Sequence, residues 1–152
     1  MNDTPTTPPL FDEAFARLRG VYEELDARID LLRARFPDSS CRECGTCCTF
    51  PPGAPVLYAT RLEHAYLASE PPPMQAGLGE GECPYHEAGS NLCTARERRT
   101  VSCRTHFCDE AMPEKAAREA AQDLCEWALD RLREISAEFD IPWDYGPVVD
   151  RL

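Results

Sequence analysis

Eight of the nine cysteines of this 152-residue chain fall within residues 37 to 112, and that stretch holds only nine of the chain's large core formers (Leu, Ile, Val, Phe) in 76 residues. Pro51-Pro52-Gly53-Ala54-Pro55 and Pro71-Pro72-Pro73 break it into loops. One short helix is predicted there, from Thr60 to Ser69 with Thr60 as N-cap. A segment this poor in apolar side chains does not offset its ordering entropy by burial alone. Thiolate–metal bonds supply folding free energy on the order of 10 kcal/mol per structural site. Residues 37–112 therefore read as an irregular lobe organised by metal.

The flanks are different in kind. Phe11, Phe15, Leu18, Tyr22, Leu25, Ile29, Leu32 and Phe36 recur at alternating intervals of four and three, which lines all eight on one stripe of a helix over 10–36. Ala121, Cys125, Ala128, Leu132, Ile135 and Phe139 repeat the pattern over 113–139. At about 1.5 Å per residue each helix is about 40 Å long. The stripes are expected to close as an antiparallel hairpin or as halves of a bundle between two copies, with a protein partner as a further occupant. Residues 1–9 and 140–152 read as tails, and the whole as one domain. The fold class is mainly α, with two long amphipathic helices flanking a cysteine-rich lobe of metal-ligated loops.

With Lys+Arg 16 against Asp+Glu 27 the net charge is −11, which argues against nucleic-acid or anionic-membrane partners. The N-terminus lacks the basic and apolar regions of a signal peptide, and no apolar run is long enough to span a bilayer. The expected setting is soluble and cytoplasmic, where clustered cysteines stay reduced and serve as ligands or redox groups. Nine cysteines, about 6% of the chain, also fall short of the roughly 8–10% of a disulfide scaffold.

The first cluster is Cys41-Arg42-Glu43-Cys44-Gly45-Thr46-Cys47-Cys48. C-x2-C turns two thiolates onto one ion, with Gly45 giving the backbone the freedom that the turn needs, and C-x2-C-x2-C is how ferredoxins wrap three corners of a four-iron cluster. Adjacent Cys47 and Cys48 diverge, so they are expected to serve different ions or different corners. Cys83, Cys93, Cys103 and Cys108 form a dispersed second set, and Cys83-Pro84 is the dipeptide that closes ferredoxin-type sites. Eight ligands suit two four-thiolate sites or one larger cluster. The spacing fits an iron–sulfur cluster slightly better than zinc. His86 and His106 are alternative nitrogen ligands, whereas Cys125 lies on the second helix's apolar stripe and reads as a packed thiol. Of the cluster's arginines, Arg99 and Arg104 are expected to offset thiolate charge and donate N–H bonds to sulfur, with Arg96 and Arg98 left to solvent.

These pieces, Cys41, Cys44-Gly45 and Cys47-Cys48, then Gly81-Glu82-Cys83-Pro84, then Cys93, Arg99 and Cys103-Arg104, then Cys108, resemble the YkgJ-type cysteine-cluster family, described as zinc- or iron-chelating domains. The likeness covers about residues 41–108. Thr100 stands where that family has proline, and Ala95-Arg96 replace its apolar–aromatic pair. The resemblance implies metal binding in a redox, sensing or metal-handling role. Some members carry the label iron–sulfur oxidoreductase, and a similar domain occurs in the much longer flagellin lysine N-methylases. That leaves two alternatives, an iron–sulfur oxidoreductase or methyl-transfer accessory enzyme, and a structural zinc module presenting helices to a partner. The chain shows no glycine-rich nucleotide loop, no C-x3-C-x2-C motif and no catalytic triad or paired acids, so the sequence leaves open whether it is an enzyme.

Overall fold

A computed structural model of the chain describes residues 9–38, 57–73, 83–87, 90, 92–107 and 112–147. It is mainly α. Helix α1 (Pro9–Arg35) and the last long helix, α4 (Lys115–Glu138), match the two predicted stripes to within two residues at each end. Phe15, Leu18, Tyr22, Leu25, Ile29, Leu32 and Phe36 are all buried, as are Ala121, Cys125, Ala128, Leu132 and Ile135. Phe11 and Phe139 pack on the rim.

The two helices pair within the chain and run antiparallel. Arg17, in the first half of α1, donates to Glu138 at the end of α4 (2.7 Å), while Leu32 and Phe36 pack with Ala117 and Ala121 at its start. The α4 stripe is small (Ala117, Ala121, Cys125, Ala128) where the α1 stripe is large, so the helices approach closely and side chains interdigitate. Each fully buried leucine, Leu18, Leu25 and Leu132, contributes about 1.5–3 kcal/mol. Gly20 sits on the exposed side of α1, and a methyl group there would meet nothing within 4 Å. Gly20→Ala is therefore expected to stabilise the protein by about 0.5–1 kcal/mol, raising the thermal midpoint by about 1–4 °C in a scan by circular dichroism.

The middle of the chain is more regular than predicted. It contains strand β1 (Tyr58–Thr60), helix α2 (Arg61–Leu67), strands β2 (His86–Glu87) and β3 (Leu92–Cys93), a 3-10 turn η1 (Arg96–Arg98) and helix α3 (Val101–Thr105). Thr60 caps α2 as expected, and the cap is reciprocal: Glu63 N–H donates to the Thr60 hydroxyl (3.2 Å), and Thr60 N–H donates to the Glu63 carboxylate (3.0 Å). The last residues are not all tail, because strand β4 (Tyr145–Pro147) pairs antiparallel with β1, with Tyr58 opposite Pro147 and Thr60 opposite Tyr145. The turn after α4 makes this return. Asp140 adopts a left-handed conformation (φ 58°), Asp140 N–H reaches Ala137 C=O and Ile141 N–H reaches Ser136 C=O (2.8 Å). That is a Schellman ending, with aspartate at the place glycine usually fills.

Candidate metal centre

Cys83 and Cys93 are brought together by the β2–β3 hairpin. Cys83 starts a turn in which His86 N–H donates to Cys83 C=O (3.0 Å), and His86 then pairs with Cys93 across the ladder. Tyr85 ties the clip to the rest of the fold. Its carbonyl accepts from both the N–H and the hydroxyl of Thr94 (2.7 Å each), and its buried hydroxyl lies 3.1 Å from Leu67 C=O and 2.8 Å from Glu70 C=O, at the end of α2. Arg98 joins the same end, with Nε on Leu67 C=O and an ion pair to Glu70 (2.7 Å). Its side chain is 13% exposed, so it is a cross-brace between η1 and α2 rather than the solvated arginine expected from sequence.

Cys103 arrives from α3. Thr100, the residue standing where the resembled family has proline, caps that helix by accepting from Cys103 N–H (3.2 Å). Cys83, Cys93 and Cys103 all pack against one apolar cluster of Leu57, Ala59, Leu67, Tyr85 and Ala95. The Cys103 thiol is pushed up to about 12, mainly by burial and further by the Cys83 and Cys93 thiolates, with the Thr100 hydrogen bond opposing. A bound cation would reverse that effect. Among the described residues no group of three or more His, Cys, Asp or Glu side chains is placed to hold a metal ion by itself. Cys41, Cys44, Cys47, Cys48 and Cys108 lie outside the described residues, so three of the eight expected ligands are placed. His86 is buried beside Cys93; His106 is half-buried, and burial lowers its pKa. Cys125 is packed in the core between α1 and α4, and burial raises its pKa.

The two arginines expected beside the sulfurs hold backbone instead. Arg104, 7% exposed, donates to Arg99 C=O (2.8 Å), Glu97 C=O (2.6 Å) and the Asp26 carboxylate of α1 (2.6 Å), and stacks 4.2 Å over the Tyr22 ring. Arg99 donates through Nε to Arg96 C=O (3.2 Å). Arg99, Arg104 and Cys103 all line one cavity.

Sequence reasoning passed over Glu63. It is fully buried, and its carboxylate accepts from Tyr22 O–H (3.0 Å), Thr60 N–H (3.0 Å) and Val101 N–H (2.6 Å), joining α1, the cap of α2 and the first turn of α3. Burial raises its pKa above 4.5 despite the hydrogen bonds, which favour the anion. The signal was present as Thr60-x-x-Glu63, the spacing of a capping box. No described helix is long and apolar enough to cross a membrane. Compared with protein-family models, curated proteins and solved structures, the chain matches none.

Proposed function

We propose that the chain is a metal-binding protein whose cysteine cluster holds an iron–sulfur cluster or zinc in a redox, sensing or metal-handling role. The observation that carries this reading is the gathering of Cys83, Cys93 and Cys103, each about ten residues from the next, onto one apolar patch by a hairpin and a capped helix. Soft thiolates on a low-dielectric wall select zinc or iron–sulfur over hard cations. The C-x2-C-x2-C run at Cys41, Cys44 and Cys47, the Cys83-Pro84 step and the YkgJ-type pattern support the same reading from sequence and favour the iron–sulfur form.

Anaerobic purification with elemental, acid-labile sulfide and visible-absorption measurements tests it. The expected product is brown, bleaches in air, and contains iron with sulfide. Cys103→Ser is expected to lower the iron content by more than half, while Cys125→Ser leaves it unchanged. Colourless protein with stoichiometric zinc and no sulfide would exclude the cluster and keep the metal. Protein with neither metal would end the reading.

A further inference from the structure

Tyr22 and Glu63 form a buried acid–base pair that the metal reading leaves unused. Tyr22 is 2% exposed, Glu63 is fully buried, and the Tyr22 O–H donates to the Glu63 carboxylate at 3.0 Å. The backbone N–H groups of Thr60 and Val101 hold that carboxylate in place. The Arg104 guanidinium stacks 4.2 Å over the Tyr22 ring. A second phenol, Tyr66, has its ring centroid 6.1 Å from that of Tyr22. The hydroxyls of Tyr85 and Tyr145 are placed differently, since Tyr85 donates to backbone carbonyls and Tyr145 pairs with the Ser102 hydroxyl, neither of them a base. Tyr22 and Cys103 line the same cavity, between α1 and the η1–α3 segment.

A phenol that loses one electron becomes a strong acid, so in a buried site it is oxidised only where its proton has a base to go to. The cation over the ring sharpens this requirement, because it opposes a positive charge on the ring and tolerates a neutral one. We propose that Tyr22 is a redox-active tyrosine with Glu63 as its proton acceptor. An electron leaves the ring for a one-electron oxidant, the phenolic proton crosses the existing hydrogen bond, and the products are a neutral phenoxyl radical, a Glu63 carboxylic acid and the reduced oxidant. Burial, which raises the Glu63 pKa, favours that acid form. In the protein the oxidant is a thiyl radical or an oxidised metal–thiolate of the cysteine lobe, the one point at which the proposal rests on the metal reading. The electron from Tyr22 returns that sulfur to its thiolate state.

The test supplies its own oxidant. The full-length protein is oxidised by flash-generated ruthenium(III) tris-bipyridine, and the radical is followed by electron paramagnetic resonance. Wild type is expected to give a tyrosyl signal lasting at least tenfold longer than that of Tyr22→Phe, in which the radicals fall on exposed Tyr58 and Tyr145. Tyr66→Phe should keep the long-lived signal. Glu63→Gln, whose amide does not accept the proton, should lower its yield about tenfold, and Glu134→Gln on the exposed side of α4 should not. Should Tyr22→Phe or Glu63→Gln fail to fold, wild type alone decides: electron–nuclear double resonance is expected to show one exchangeable proton bonded to the phenoxyl oxygen, the proton now held by Glu63. No long-lived signal in wild type, its persistence in Tyr22→Phe, full yield in Glu63→Gln, or a phenoxyl oxygen without that proton overturns the proposal. Metal content measured on the same samples keeps this outcome separate from that of the metal centre.

Discussion

Glu63→Leu is expected to destabilise the protein by about 3–5 kcal/mol, because the leucine fills the space and leaves three buried donors, Tyr22 O–H, Thr60 N–H and Val101 N–H, without an acceptor. Glu63→Gln is the milder test, at about 1–3 kcal/mol. Whichever carboxylate oxygen its amide nitrogen replaces, that nitrogen faces the N–H of Thr60 or of Val101. Urea denaturation reads both. The pH dependence has a fixed sign. Burial raises the Glu63 pKa above 4.5 in the folded state, so the folded protein holds this proton more tightly than the unfolded chain. Its contribution to stability is fully present below the unfolded value and is lost as pH rises through the folded one. The advantage of wild type over Glu63→Gln should shrink on going from pH 4 to 7, and an advantage that grows over that range would contradict a buried, proton-retaining carboxyl.

Leu25→Asp is expected to leave the protein unfolded or aggregated at 25 °C. Leu25 is 0% exposed at the centre of the α1–α4 seam. Losing its side chain costs about 2–5 kcal/mol, and a carboxylate without a partner adds several more, which approaches the roughly 5–15 kcal/mol that holds a domain together. Cys125→Ala, directly in the same core, removes one sulfur atom and should cost only about 1 kcal/mol. Circular dichroism and size-exclusion chromatography distinguish the two, and retention of metal in Cys125→Ala checks that this thiol packs rather than ligates.

The parts of the fold that could be read from sequence are those that depend on near neighbours. The stripes of α1 and α4 follow from a spacing repeated over seven turns, and the Thr60 cap from a hydroxyl placed before a helix. Tyr145–Pro147 reads as tail in the sequence because three residues carry no periodicity; the strand forms only through its pairing with Tyr58–Thr60, 85 or more residues away in sequence. Helix α3 was missed for a similar reason. Five residues do not hold a helix in water, and Val101–Thr105 is helical because Thr100, Glu63 and Arg104 secure it. The cysteines were legible as ligand types, and the gathering of Cys83, Cys93 and Cys103 was not, since it rests on Tyr85 reaching the end of α2. Arg104 shows the limit of charge counting. Adjacent to a cysteine, it reads as a counter-ion for sulfur, yet its guanidinium is shared among two carbonyls and a carboxylate.

Helix α3 is tied to α1 at both ends, through Glu63 to Tyr22 and through Arg104 to Asp26. Those anchor points are four residues apart, a little over one turn and about 6 Å of rise. That single turn of α1 acts as a gauge block against which the Cys103 thiol is set. One residue added between Tyr22 and Asp26 would swing Asp26 about 100° around the helix and release one end of α3 without altering any cysteine. The position of a sulfur in the lobe is thus set from the first helix, by a tyrosine and an aspartate one turn apart.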